Sequence, residues 1–248
     1  MKLAVINFSG NVGKTTLARH LLLPRIPGAE YIAVETINAG AEGQASLRGD
    51  QFAMLQEYLL SIDSAVVDIG ASTVDDLMDL MAQYGGSHED FDCFIVPTVP
   101  DPKQQQDTIA TLVDLARLGV PPERMRLVFN TMELGVTVEQ AFYLVLGFLH
   151  EHPLAIANPE CALRRNEIYA RVRGLSTDFL TLSQDPTDYK RLIARAQNQA
   201  DKMALGQKLA TRRLAGSVLV ELDRCFTALG LPSAADSAGM SMVTGEAQ

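Results

Sequence analysis

The stretch that decides the fold is Ser9-Gly10-Asn11-Val12-Gly13-Lys14-Thr15-Thr16, residues 9–16. An apolar run at residues 3–8 precedes it, and a helix-forming run at residues 17–23 follows it. A strand, a glycine-containing loop that ends in Gly-Lys-Thr, and a helix form the arrangement of a phosphate-binding P-loop. Glycines let several backbone N–H groups converge on one point, and the free N–H groups of the helix add partial positive charge. The sequence therefore predicts a nucleotide-phosphate site at residues 9–16.

Two side chains of this stretch suit the chemistry of a bound triphosphate. Lys14 would bring a cation to the β- and γ-phosphates, and the Thr15 hydroxyl would ligate Mg²⁺. The stretch departs from the usual motif at Phe8, where a glycine normally stands five residues before Gly13. The alternative interpretation is a glycine-rich turn before a helix, with an exposed lysine.

Length and composition are those of a globular α/β protein. The 248 residues include 47% hydrophobic residues, enough for one domain with a large core. No apolar run reaches the ~18 residues that span a bilayer, and the N-terminus lacks the pattern of a signal peptide. The three cysteines, Cys93, Cys161 and Cys225, are few and far apart, which indicates a reducing cytoplasm and neither a disulfide framework nor a metal site.

Charge is distributed unevenly along the chain. The net charge is −9, yet residues 189–215 carry seven basic side chains against one acidic, a net charge of +6. This asymmetry suggests an anionic partner such as DNA for the C-terminal part. A solvated helix face is an equally good interpretation of the same residues.

Alternating hydrophobic patterns predict the architecture. Strands are expected at residues 3–8, 31–34, 65–70, 93–97, 126–130 and 154–157, and helices at residues 47–62, 77–81, 109–118 and 138–149. Strands that alternate with helices predict an α/β fold with a doubly wound, mainly parallel sheet flanked by helices, plus a helical C-terminal extension. The expected divisions are a P-loop core at 1–179, C-terminal helices packed on that core at 180–230, and a disordered tail at 231–248. An apolar stripe at 214–229 would pack on the core or, alternatively, bind a partner.

Polar residues stand at the carboxyl ends of three of the predicted strands. Glu35, Asp68 and Asn130 all stand where a parallel strand ends, and ligands of such sheets bind at those ends. Asp68 after an apolar strand is the Walker B arrangement, which would organise Mg²⁺. A helix cap is the alternative role for Asp68, but Ser72 and Asp75 are spaced as a capping box that would fill it. A surface glutamate and a turn asparagine are the alternatives for Glu35 and Asn130.

The motifs resemble those of the ParA/MinD branch of P-loop ATPases, whose loop reads Lys-Gly-Gly-x-Gly-Lys-Thr. Residues 7–16, 34–38 and 68–72 most resemble the StbB plasmid-stability proteins, which are encoded beside small DNA-binding partners on conjugative plasmids. The resemblance covers roughly residues 1–175. It implies an ATP-binding and ATP-hydrolysing switch that works with Mg²⁺, forms a homodimer and acts with a DNA-binding partner protein.

The resemblance also implies a role for each matching residue. The phosphates would be wrapped by Gly10, Asn11, Val12, Gly13, Lys14, Thr15 and Thr16. Thr15 and Asp68 would organise Mg²⁺, Glu35 would position the attacking water where the family mostly has Asp, and Asn130 would read adenine. These expectations make Lys14, Glu35 and Asp68 the catalytic set.

One departure from the family pattern bears on mechanism. Ser9 replaces the signature lysine, which in ParA-like proteins reaches the phosphate of the partner subunit. Hydrolysis would then be slow, or another cation such as Arg164 or Arg165 would substitute, or the chain would be a non-hydrolysing nucleotide-dependent adaptor. A small-molecule ATP-dependent ligase or kinase, like dethiobiotin synthetase, is the alternative from a different class, and no second motif for its substrate is present.

Overall fold

The computed structural model describes residues 1–34, 49–172 and 178–232. Within these ranges the chain forms a six-stranded sheet in the order β2-β3-β1-β4-β5-β6, and every neighbouring pair is parallel. The strands are β1 Lys2–Val5, β2 Glu30–Val34, β3 Ala65–Ile69, β4 Cys93–Thr98, β5 Met125–Met132 and β6 Ala162–Arg164. This order confirms the predicted doubly wound α/β fold of the P-loop class.

Helices connect the strands and form a C-terminal extension. They are α1 Lys14–Thr16, α2 Gly49–Ser61, α3 Val74–Gln83, α4 Pro102–Arg117, α5 Val138–Ala141, α6 Tyr143–Glu151, α7 Ile168–Arg171, α8 Phe179–Ser183, α9 Tyr189–Arg195 and α10 Gln199–Ala228. Helix α1 continues through a π-helical turn, Leu17–Leu22, into a 3₁₀ turn at Leu23–Arg25. The predicted helix at 138–149 is interrupted at Phe142, where ψ is 32°.

Burial along the sheet follows strand position. β3 and β4 are buried at every residue, as expected for central parallel strands that are covered on both faces. β2 lies at an edge of the sheet, and Val34 is its one buried residue. The apolar run at 31–34 suggests a buried strand, but most of β2 is exposed or partly exposed because an edge strand lacks a neighbour on one side.

The sixth strand lies later in the chain than the sequence predicts. Ile156 makes an isolated bridge to Arg126, and the strand proper is Ala162–Arg164. Between these segments the chain turns at Asn158, whose side chain accepts a hydrogen bond from the backbone N–H of Glu160 (3.0 Å). The apolar run at 154–157 thus contributes a single bridge to β5. The strand itself begins after the turn, at Ala162.

A capping box is present at the start of α5, but the one predicted at Ser72 and Asp75 is wrong. Thr137 and Gln140 cap α5 reciprocally. Residues Ala71–Thr73 instead form a 3₁₀ turn, and α3 begins after it without a side-chain cap. The Thr73 hydroxyl lies within hydrogen-bonding distance of the carbonyls of Val34 (3.2 Å) and Gly70 (2.9 Å), so this residue ties the end of β3 to β2.

The chain divides into two compact units, Met1–Arg164 with Cys225–Gln248, and Arg165–Arg224. In the first unit Arg126 Nε donates to the carbonyl of Leu229 (2.9 Å), which fixes the segment that follows α10. In the second unit Arg212 donates to backbone carbonyls of the turn before α9. The divisions expected from the sequence, at residues 179 and 230, stay a prediction.

The apolar stripe predicted at residues 214–229 lies on α10 and in the residue that follows it. Residues Val218, Leu222 and Cys225 of the apolar stripe are each 1% exposed or less, which favours packing within the chain over a free partner-binding face. None of the described helices combines the length and the apolar character that a bilayer crossing requires.

Candidate nucleotide-binding site

The loop at residues 9–16 lies where the winding of the sheet reverses. β1 stands between β3 and β4, with β2 beyond the former and β5 beyond the latter. In open α/β sheets the crevice at the carboxyl ends of such strands is where ligands bind. The loop follows β1 directly, so chain topology alone puts it at the expected place.

Two backbone conformations shape the loop. Asn11 has φ 57° and Gly13 has φ 94°, both in the left-handed region that favours glycine. A Cβ atom at Gly13 would overlap the side-chain amide nitrogen of Asn130. At Gly10 such an atom would meet nothing within 4 Å among the described residues. Gly13 is therefore required both by its φ and by the close approach of Asn130, whereas Gly10 is not required by either.

Lys14 is buried at the start of α1, with 7% of its surface exposed. Its Nζ donates to the carbonyls of Asn7 (2.9 Å) and Ser9 (2.7 Å). Burial lowers the pKa of Lys14 from 10.5 to about 8, and the carboxylate of Asp68 acts in the opposite direction. The ammonium is thus held inside the loop by two neutral acceptors, a position that a phosphate group would compete for.

Asp68 is buried in β3, with 3% of its surface exposed. It lies opposite Val5 of β1 and Ala33 of β2 in the sheet register. Its Oδ2 accepts a hydrogen bond from the hydroxyl of Tyr31 (2.8 Å). Burial raises the pKa of Tyr31 above its usual value, so the phenol keeps its proton and acts as the donor.

Asn130 lies at an irregularity of β5. The pairing between β5 and β6 shifts between Phe129 and Met132, and Thr131 has φ 57°. The Asn130 amide donates to the carbonyl of Val12 (2.9 Å), and its Oδ1 accepts from the backbone N–H of Thr131 (2.9 Å). The bulge therefore directs Asn130 onto the loop at residues 9–16. Its predicted role in reading adenine stays a prediction.

The donor groups fit the Mg²⁺ ion that a nucleotide would bring. Thr15 is exposed in the first turn of α1, and Asp68 offers a buried carboxylate at the neighbouring strand end. No group of three or more His, Cys, Asp or Glu side chains suited to a metal occurs in the described part of the chain. Mg²⁺ is typically bound through one or two carboxylates together with substrate phosphates, so the Asp68 carboxylate and the Thr15 hydroxyl are suitable donors for it.

Three further candidates are Glu35, Arg164 and Arg165. Glu35 lies outside the described residues. Arg164 ends β6, which is separated from β1 by β4 and β5, a distance of roughly 14 Å at the usual strand spacing. Arg165 is exposed and belongs to the second compact unit. A role for either arginine as a substitute cation stays a prediction.

Three residues around the loop were not among the predicted site residues. The Asn7 side chain donates to the carbonyl of Pro97 (2.8 Å) and to the hydroxyl of Thr108 (2.8 Å), and it accepts from the backbone N–H of Ser9 (2.7 Å). The hydroxyl of Thr111 accepts from the backbone N–H of Phe8 (3.1 Å). All three side chains are fully buried. Helix α4 thus holds residues 7–9, which carry the two carbonyls that bind Lys14.

A weak signal in the sequence points to one of these three. Asn7 interrupts an apolar strand at its carboxyl end, which is unusual for a buried position. Thr108 and Thr111 carry no such signal, because a threonine inside an amphipathic helix is compatible with many environments.

Comparisons with known proteins give the following. No family model matches the chain, and no curated protein matches it. Among solved structures, apo McdA from Cyanothece is 13% identical at a TM-score of 0.49, covering 84% of this chain and 98% of that one. A McdA variant from Cyanothece in complex with ATP is 12% identical at a TM-score of 0.42, covering 84% of this chain and 96% of that one. The fold class of the chain rests on its own sheet order and on the loop at residues 9–16.

Proposed function

We propose that this chain is an ATP-binding and ATP-hydrolysing switch of the ParA/MinD type that acts in plasmid stability, segregation or positioning with a DNA-binding partner protein. The observation that carries the proposal is the buried Lys14 ammonium, held by loop carbonyls at the reversal point of the sheet. A buried cation with two neutral acceptors gains free energy when an anion reaches it.

Each site residue has a task in this proposal. Backbone N–H groups of residues 10–16 and the Lys14 ammonium bind the phosphates, and Thr15 with Asp68 would hold Mg²⁺, which neutralises phosphate charge. Glu35 positions the water that attacks the γ-phosphate, and Asn130 contributes to the base side of the site. Positioning and charge neutralisation supply most of the catalysis in such reactions.

Ser9 makes a backbone contribution to the site. Its side chain is largely buried at 6% exposure, its carbonyl accepts from Lys14, and its N–H donates to Asn7. It cannot extend a cation toward a second subunit. We therefore infer slow hydrolysis, with ATP favouring a homodimer or a partner complex.

The basic segment at residues 189–215 supports contact with DNA phosphates. Six of its seven basic side chains are exposed, all within the described range: Lys190, Arg191, Arg195, Lys202, Lys208 and Arg213. Exposed cations spread along helices suit non-specific phosphate contacts, which weaken steeply with salt. A protein that contacts DNA only through its partner would show no such binding even at low salt.

Nucleotide binding is tested with Lys14→Ala, using a fluorescent ATP analogue and Mg²⁺. Removing two charge-assisted contacts to phosphate should weaken binding by about 100-fold. Lys202→Ala removes an exposed lysine of the second unit and should bind as the wild type does. Equal affinity of wild type and Lys14→Ala would contradict the assignment of the phosphate loop.

The switch itself is tested by ATP turnover and light scattering, with and without DNA, for wild type and Glu35→Ala. Turnover that is lost in Glu35→Ala, together with an ATP-dependent dimer, is the expected result. Turnover that appears only with an added metabolite would favour a ligase or kinase. Tight binding without turnover or dimerisation would favour a nucleotide-dependent adaptor.

A further inference from the structure

The Walker B carboxylate has a partner outside the predicted motifs. The hydroxyl of Tyr31 donates to Oδ2 of Asp68 at 2.8 Å, although the two residues are 37 positions apart in sequence. Tyr31 is partly buried on the edge strand β2, and Asp68 is buried in the adjacent strand β3. This is a contact between a solvent-facing edge and the centre of the candidate site.

The sheet register explains why this tyrosine reaches that carboxylate. Ala33 lies directly opposite Asp68, and Tyr31 lies opposite Val66, two residues earlier along both strands. Residues two apart on a strand share a face, so Tyr31, Ala33 and Asp68 project on the same side. The long Tyr31 side chain reaches Asp68 diagonally across the two strands, where its hydroxyl makes the 2.8 Å hydrogen bond to Oδ2.

The ring of Tyr31 is itself held in place. The guanidinium carbon of Arg19 lies 4.4 Å from the ring centre. Arg19 belongs to the π-helical turn that continues from the phosphate loop. A cation over an aromatic face is attractive, and more so where water is partly excluded. The tyrosine therefore lies between the helix after the phosphate loop and the Walker B strand.

We infer that Tyr31 is a positioning residue for Asp68, one that fixes the carboxylate in the orientation in which it serves the Mg²⁺ of the bound nucleotide. The inference rests on the proposed nucleotide-binding function. A hydrogen bond to Oδ2 restrains the carboxylate plane, and we assign Oδ1 to the metal or its water shell. Partners of metal-binding carboxylates act in this way, and their removal typically costs 10- to 100-fold in metal affinity or activity.

The same chemical pair occurs where no site is expected, which provides a matched control. The hydroxyl of Tyr58 donates to Oε2 of Glu30 at 2.5 Å on an exposed part of the first unit. Tyr58→Phe removes the same kind of bond from a solvent-exposed carboxylate. It should therefore reproduce any general effect of losing a phenol-to-carboxylate bond, without affecting Asp68.

The experiment measures binding of a fluorescent ATP analogue to the full chain as Mg²⁺ is titrated, and again in EDTA. In EDTA, wild type, Tyr31→Phe and Tyr58→Phe should bind equally. The Mg²⁺ midpoint of Tyr31→Phe should rise about tenfold, and that of Tyr58→Phe should stay at the wild-type value. In an Asp68→Asn background, Tyr31→Phe should cause no further shift.

Each other outcome counts against the inference in a different way. An unchanged or lower Mg²⁺ midpoint for Tyr31→Phe, with normal wild-type binding, overturns the role of Tyr31 alone. If Tyr31→Phe weakened binding of the ATP analogue equally in EDTA and in Mg²⁺, Tyr31 would have a general structural role. That result would also overturn the inference. Absence of nucleotide binding by the wild type overturns the proposed function together with this inference.

Discussion

Lys14 and Arg212 lie in different parts of the molecule and both donate to backbone carbonyls, but their surroundings differ. In the phosphate loop, Lys14 binds the carbonyls of Asn7 and Ser9 and is 7% exposed. In the second unit, Arg212 binds the carbonyls of Asp185 (2.9 Å) and Thr187 (2.7 Å) and lies over the ring of Tyr189, 5.1 Å from its centre. Both contacts satisfy a cation with neutral acceptors.

The difference lies in what surrounds each cation. Lys14 stands beside the buried carboxylate of Asp68, at a strand end where a helix begins, and burial lowers its pKa. Arg212 closes the turn before α9, and six exposed cations occupy the same segment of chain. A buried cation is restrained to one position and suits a specific anion, whereas exposed cations suit any polyanion. Carbonyl contacts alone therefore do not identify a binding site.

The largest change is expected from altering the loop that holds Lys14. Gly13→Ala would force an alanine to φ 94° and against the Asn130 amide, which should destabilise the fold by about 2 kcal/mol and impair nucleotide binding. Gly10→Ala meets open space and should change stability by less than about 0.5 kcal/mol. Urea unfolding and binding of a fluorescent ATP analogue measure both. Similar effects of the two variants would contradict the geometry of the loop.

A second test compares two threonines that make the same local bond. The hydroxyls of Thr108 and Thr211 each donate to the carbonyl four residues earlier, but Thr108 is fully buried and also accepts from Asn7. Thr108→Val leaves the buried Asn7 amide with one fewer acceptor. It should destabilise the fold by about 1–3 kcal/mol and weaken nucleotide binding through the Asn7 carbonyl.

Thr211→Val is the matched control for that test. Its hydroxyl is on the surface of α10, so the change should stay within about 0.5 kcal/mol and leave nucleotide binding intact. If Thr108→Val lowered stability without weakening nucleotide binding, helix α4 would support the sheet without positioning the loop.

The smallest expected effect concerns the turn that Arg212 closes. Hydrogen bonds from the hydroxyls of Thr187 and Tyr189 to the carboxylate lower the pKa of Asp185 from 3.8 to about 2. Because the folded pKa is depressed, Asp185 stabilises the fold above pH ~4, and that contribution is lost as the pH falls through about 2. Asp185→Asn should therefore lower the melting temperature slightly at pH 6 and not at pH 2. A difference between the two proteins that grew toward low pH would contradict this.

Sequence patterns predicted the elements around the site better than the contacts within it. The loop at 9–16 follows β1 and Asp68 lies at the end of β3, as the sequence predicts, whereas Asn130 lies two residues before the end of β5. Their roles in nucleotide binding stay predictions. The capping box at Ser72 and Asp75 was wrong, because Thr73 bonds to Val34 of a strand 39 residues away. The sixth strand was misplaced because a turn at Asn158 separates an apolar run from the residues that pair.

The phosphate loop itself is determined by the sequence alone, because glycine, lysine and threonine at fixed spacing between a strand and a helix depend on local backbone geometry. The alternation of apolar runs likewise determines a parallel α/β sheet. Tertiary structure alone decides which side chains complete the site. They are brought in by three hydrogen bonds, which join Tyr31 to Asp68, Asn7 to Thr108 and Asn130 to Val12. Each of those bonds joins residues between 37 and 118 positions apart, and their meeting depends on strand order, register and a bulge, which local periodicity does not contain.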